Sequence, residues 1–185
     1  MNIIETIITR KSTRSFTEQK IPIQILDNIL KIVHYTPCGM NAQSWFFLAI
    51  QDKEEINKIN SIIFNCMIKS KNKNFNNYIK SEKNCFYNSN NLIFVFNEYN
   101  SLSSEPKIDA ALAMYSILLT SHFFNISSCW INIVNTLYRN FPSFKNYFKS
   151  HININKMFLA GCVALGYNAE DICKNKKISY NFKIL

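Results

Sequence analysis

Apolar residues recur at three- and four-residue intervals along much of the chain, and those intervals predict helices. Ile3, Ile4, Ile7 and Ile8 place a helix over 2–9, ended by Ser12 or Thr13. Leu26, Ile29, Leu30 and Val33 share one face of a second helix over 23–35, which opens after Pro22 and stops at Pro37 and Gly39. Ile56, Ile59, Ile63 and Met67 give a third over 53–68. Short apolar runs at 45–50, 92–96, 129–134 and 157–165 predict strands, and 141–151 a short helix. Residues 108–124 form a central helix after the start signal of Pro106. No Lys, Arg, Asp or Glu occurs between Asp109 and Arg139, so this helix is apolar on almost every face. Such a helix is buried on all sides, and in a chain this small a partner subunit is a natural cover. The tail alternates as Ile178, Tyr180, Phe182 and Ile184, a terminal strand that needs an edge to pair with. Segment 69–91, rich in Lys and Asn with scattered Phe75, Tyr78, Phe86 and Tyr87, reads equally as a helical excursion over a pocket or as solvated surface.

Length and composition narrow the class. The 185 residues fit one domain over 1–185 with a real core, since 48% are hydrophobic and 15 are Phe. The net charge of +9 attracts anions such as a nucleotide, a dinucleotide or nucleic acid, although most lysines read as solvated surface. Six cysteines show no Cys-x-x-Cys spacing, and His34, His122 and His151 are scattered, so no metal site is expected. No leader is visible, and no apolar run is long enough for a membrane span. Reduced thiols in a cytoplasmic protein are the simplest account. The thiols read as small core hydrophobes, His122 as a satisfied buried histidine, and Trp45 and Trp130 as core residues.

Two segments carry chemistry. Arg10-Lys11-Ser12-Thr13-Arg14 packs three cations and two hydroxyls together, a composition suited to phosphate oxygens through arginine forks and hydroxyl bonds. Pro37-Cys38-Gly39-Met40-Asn41-Ala42-Gln43 is a turn with two side-chain amides, each offering a donor and an acceptor for the edge of a heterocycle. Gly39 permits close backbone approach, Asn41 also suits an Asx turn, and Gln43 suits tying the loop down.

Together these segments resemble the nitroreductase family of FMN-dependent oxidoreductases. Ile108-Asp109-Ala110-Ala111-Leu112-Ala113, Ser128-Cys129-Trp130-Ile131 and Ala164-Leu165-Gly166-Tyr167 fit the same family in the same order. The resemblance implies an α+β fold of three layers, with a central, mainly antiparallel sheet between helices, and an intertwined homodimer whose C-terminal tails cross. It implies FMN at the dimer interface. Arg10, Lys11, Ser12 and Arg14 would hold the phosphate and the N1/O2 edge, and a terminal cation, Lys176 or Lys177, would close the phosphate site. Pro37, Cys38, Gly39, Asn41 and Gln43 would come from the other subunit, and Ile131 and Asn132 would lie against flavin N5. The implied activity is hydride transfer from NADH or NADPH through the flavin to a nitroaromatic, quinone or similar electron-poor acceptor. It rests on proximity and orientation, so no residue is named as catalytic. The same fold also accommodates a flavin-storing or flavin-processing protein without nicotinamide turnover. A basic nucleic-acid-binding module is the remaining alternative.

The chain departs from the family pattern at four places. Cys38 stands at a usual serine, Ser44 and Asn168 at usual prolines, and Asn125-Ile126-Ser127 lacks the usual glycines.

Overall fold

The computed structural model describes residues 2–70, 72–80, 84–169, 179 and 181–184. Helix α1 (Ile3–Thr9) is opened by a reciprocal cap. The Asn2 side chain accepts the Glu5 N–H at 2.9 Å, and Glu5 Oε2 accepts the Asn2 N–H at 3.0 Å. Its isoleucines point away from the chain: Ile3, Ile4, Ile7 and Ile8 are exposed while Thr6 is buried. Helix α2 (Ile23–Val33) buries Leu26, Ile29 and Val33. Strand β1 (Trp45–Ile50) and helix α3 (Lys53–Ser70) follow as the spacing predicts.

Segment 69–91 is not a simple solvated surface. A turn of 3-10 helix (Lys73–Phe75) and short helix α4 (Asn76–Lys80) are anchored by Phe75, Cys85 and Phe86, which are buried in the core. Strand β2 (Asn91–Glu98) leads to the central helix α5 (Pro106–Phe123), with Pro106 in its first turn.

The predicted strand over 129–134 is two elements. Strand β3 (Ser127–Ile131) stops short, and helix α6 (Ile133–Asn140) starts after Asn132. The run Ile131-Asn132-Ile133-Val134 satisfies strand and helix spacing alike. Val134, Leu137 and Tyr138, buried on one face, decide for the helix. The expected helix over 141–151 divides into α7 (Pro142–Tyr147) and a 3-10 turn (Phe148–Ser150). Strand β4 (Met157–Gly166) is the longest strand. In the tail, residues 179 and 181–184 form no strand; the rest of that prediction, with Lys174, Lys176, Lys177 and Cys173, lies outside the described residues.

The four strands form one antiparallel sheet in the order β1-β2-β4-β3. Strand β2 is buried on both faces and alternates between two cores. Leu92, Phe94 and Phe96 pack with α3, α6 and α7, whereas Ile93 and Val95 pack with α2 and α5. That is the physical content of a three-layer α+β fold.

A bulge opposite Val95 and Phe96 reverses the alternation in β4. Before it, Phe158 and Ala160 face the α5 layer; after it, Val163 and Leu165 do. Gly161 sits at the reversal. A Cβ there would lie 2.8 Å from both Met114 Sδ and Trp130 Nε1, so only glycine lets helix, indole and strand meet.

Helix α5 is not covered on all sides within one chain. Ala110, Ala113, Met114 and Ile117 are buried, while Ile108, Leu112, Tyr115 and Phe123 form an exposed stripe. The isoleucines of α1 are exposed as well, and Ile3 of α1 lines one groove with Leu119 and Phe123 of α5.

Candidate functional site

Strand β3 is a sheet edge, and the segment after α1 runs along it. Ser12 bridges Ser128 in parallel, and the Thr13 N–H donates to Ser128 O at 3.0 Å. Further on, the Phe16 N–H donates to Tyr87 O at 3.2 Å and the Thr17 N–H to Tyr167 O at 2.9 Å. These backbone bonds fix where the side chains of Arg10, Ser12 and Arg14 lie.

Arg10 caps the C-terminus of α1, its N–H donating to Thr6 O at 3.2 Å. Among the described residues, its buried Nη1 has no hydrogen-bond partner. A buried guanidinium nitrogen without an acceptor is costly unless a ligand supplies one. Arg14 reaches the Tyr87 phenol, whose pKa burial pushes up to about 12 against the influence of that arginine. Both arginines act on Cys129: burial raises the thiol's pKa, and their positive charges oppose the rise. Both arginines thus lie near enough to β3 for their charge to act at Cys129. Lys11 is exposed, Ser12 is half-buried, and Ile131 and Asn132 end the same edge.

His122, near the C-terminus of α5, flanks Arg10. The Thr9 hydroxyl donates to Glu5 O at 2.6 Å, so at 2.8 Å it accepts from His122 Nε2. Burial, and then the Arg10 charge, lower the His122 pKa. It is only partly buried and is hydrogen-bonded, as a satisfied histidine should be. Its place beside Arg10 carried no signal in the sequence.

The loop Pro37–Gln43 is built by its own polar groups. The Gln43 N–H donates to Cys38 Sγ at 3.3 Å and Gln43 Nε2 to Asn41 Oδ1 at 2.8 Å, so Gln43 ties the loop down, and Asn41 accepts a side-chain amide rather than the backbone N–H of an Asx turn. Met40, Asn41 and Gln43 have positive φ of 54, 50 and 45°. The loop is moored to α5: the Gly39 N–H donates to Asp109 Oδ1 at 3.0 Å and Thr36 Oγ1 to Ser116 Oγ at 2.8 Å. A Cβ on Gly39 would come within 2.5 Å of Ser103 Oγ. Asp109, 5% exposed, keeps its Oδ2 without a partner among the described residues. Sequence reasoning took Asp109 only as a helix-start residue.

The two segments are not neighbours in one chain. Asp109 holds the loop near the start of α5 and His122 lies near its end. At 1.5 Å per residue, the thirteen-residue step from one to the other spans roughly 20 Å. The structure thus brings Arg10, Ser12, Arg14, Ile131 and Asn132 to one edge and leaves Pro37, Cys38, Gly39, Asn41 and Gln43 apart from them.

A cavity of about 320 Å³ opens beyond the end of β3. Met114, Trp130, Phe158 and Ala160 line its apolar side, and Lys107, Asn132, Asn135 and Arg139 its polar side. Trp130 is therefore not a core residue. It is 36% exposed against 6% for Trp45, because the β3 edge leaves its indole against the cavity. Among the described residues, no three His, Cys, Asp or Glu side chains gather as a metal site, and no helix is long and apolar enough to cross a membrane.

Known proteins share this architecture. A nitroreductase with bound FMN from Bacteroides fragilis superposes with a TM-score of 0.88 at 30% identity, over 100% of this chain and 98% of that one. A provisionally assigned NADH dehydrogenase/NAD(P)H nitroreductase of Methanothermobacter thermautotrophicus is 29% identical over 59 residues, 32% of this chain and 31% of that protein. An iodotyrosine deiodinase of Thermotoga neapolitana is 42% identical over 45 residues, 24% of each chain. The matches to these two thus span a third or less of either protein. The nitroreductase family model matches residues 7–167, and the chain belongs to the nitroreductase family.

Proposed function

We propose that the chain is an FMN-dependent oxidoreductase that works as a homodimer, with one FMN held between the β3 edge of one copy and the Pro37–Gln43 loop of the other. The observation that carries this reading is the buried Nη1 of Arg10, which has no partner among the described residues. A phosphate oxygen is the acceptor it lacks, and Arg14 and Ser12 on the same edge supply further donors. Lys11 or Arg14 balances negative charge at the N1/O2 edge of the ring, and the backbone of Ile131 and Asn132 faces N5. Lys176 or Lys177 closes the phosphate site in the same proposal.

The separation of roughly 20 Å along α5 supports a shared site, because it sets the arginine edge and the loop of one chain at opposite ends of that helix. The exposed stripes of α1 and α5 supply the apolar surface for a second copy. Between them lies a groove of about 310 Å³ lined by Ile3, Thr6, Ile32, Leu119 and Phe123. The sequence resemblance and the FMN-bound relative support the cofactor.

When bound, FMN supplies hydride acceptance from NADH or NADPH and hydride donation to an electron-poor acceptor such as a nitroaromatic or quinone. The protein's part is to orient the ring, exclude water and neutralise charge. The test is an absorbance spectrum of the purified, FMN-loaded protein before and after NADH or NADPH under anaerobic conditions. Bleaching of the flavin band is expected. A flavin band that persists supports storage or flavin processing instead, and failure to bind FMN at all overturns the reading.

A further inference from the structure

The cavity beyond β3 combines features that the flavin reading does not use. Its polar side carries two cations from different elements, Lys107 from the first turn of α5 and Arg139 from the last turn of α6. Among the described residues no carboxylate lines it, and neither cation belongs to an ion pair. Asn135 Nδ2 is committed to Ala160 O at 3.2 Å, which fixes that amide in the wall. Asn132 makes no cap bond to α6, so its amide is not spent on the helix start.

Met114, Trp130 and Phe158 also line it and give it a polarisable apolar surface. Gly161 lets the Trp130 and Met114 side chains meet there, since any Cβ would displace them. The volume of about 320 Å³ lies at the lower end for small-molecule sites. It admits one substituted ring and excludes a dinucleotide.

Resting on the proposed function, we infer that this cavity seats the electron acceptor, and that the acceptor is a small aromatic carboxylate. The ring lies against Trp130 and Met114, and the carboxylate takes charge-assisted bonds from Arg139 and Lys107. Asn132 joins the two sites: it lines the cavity and ends the β3 edge where the N5 side of the flavin is placed.

The test is quenching of tryptophan emission by para-nitrobenzoate and by neutral nitrobenzene, on the FMN-free and the FMN-loaded protein. Wild type is expected to bind para-nitrobenzoate at least tenfold more tightly than nitrobenzene in both forms. Each of Arg139→Gln and Lys107→Gln is expected to cut that preference about tenfold, as loss of one charge-assisted bond does. Nitrobenzene binding should change less than twofold in either variant. Both substitutions sit at exposed positions, so the fold tolerates them. Equal affinity for the two compounds overturns the inference, as does a preference that survives both substitutions. Loss of para-nitrobenzoate binding on FMN loading also overturns it, since the cavity would then be part of the flavin seat. Failure of FMN to bind, with the carboxylate preference intact, overturns the proposed function while the anion site stands.

Discussion

Asp109 Oδ1 accepts the Gly39 N–H at 3.0 Å, and this bond moors the Pro37–Gln43 loop to the first turns of the central helix. The partner of that bond is buried, and its second oxygen is unsatisfied. Asp109→Ala is expected to lower stability by about 1–2 kcal/mol, the net worth of the lost hydrogen bond from Gly39 to a carboxylate. It should also weaken FMN binding, because the loop loses its position. Asp109→Asn, which keeps an acceptor oxygen, should recover most of the FMN affinity. Urea midpoints and FMN titrations of both variants check this, and equal losses in the two variants would contradict it.

Arg10 separates stability from binding. Among the described residues its Nη1 has no partner. Arg10→Met should therefore leave the FMN-free protein as stable as wild type, or more stable by up to about 1 kcal/mol. The same change should weaken FMN binding about tenfold or more. Thermal melts with and without FMN measure both effects. A variant that loses stability without the cofactor would mean that Arg10 serves the fold.

His122 gives a pH dependence whose sign follows from its surroundings. Burial and Arg10 lower its pKa from 6.5, so the folded chain takes up this proton less readily than the unfolded one. Above pH 6.5 the ring is neutral in both states and adds no pH dependence. As the pH falls below 6.5 the unfolded state is protonated first, and stability is lost until the lower folded-state pKa is passed. Urea midpoints at pH 7.5 and pH 5.5 should differ more for wild type than for His122→Gln, whose amide can still donate to Thr9. Identical pH responses would remove His122 from the account.

The exposed isoleucines of α1 and the stripe on α5 predict the assembly. Ile8 is 64% and Phe123 53% exposed in one chain. Wild type should sediment as a dimer, and Ile8→Glu with Phe123→Glu should yield a folded monomer with little affinity for FMN. A wild-type monomer that binds FMN normally would contradict the shared site.

Much of the fold was legible in the sequence because burial follows spacing. Leu26, Ile29 and Val33 on α2, and Ile56, Ile59 and Ile63 on α3, lie inside as their intervals require. The order of the short motifs led to the family. Helix α6 was hidden because Ile131-Asn132-Ile133-Val134 satisfies two periods at once, and only packing chose between them. The tethers were hidden for another reason. Asp109 meets Gly39 across 70 positions and His122 meets Thr9 across 113, separations at which no local pattern informs. Trp130 was misjudged because an edge strand leaves one face open, and edge position is a property of the whole sheet.

The central claim is that one FMN is held by two chains. The most direct measurement is the FMN stoichiometry and affinity of a mixed dimer, isolated with two tags, that pairs an Arg10→Gln chain with an Asp109→Ala chain. If the arginine edge and the loop of each site come from different chains, one site carries both defects and the other carries neither. The mixed dimer then binds one FMN per dimer with wild-type affinity. If both segments of a site come from the same chain, each site carries one defect, and the absence of any wild-type site would contradict the account.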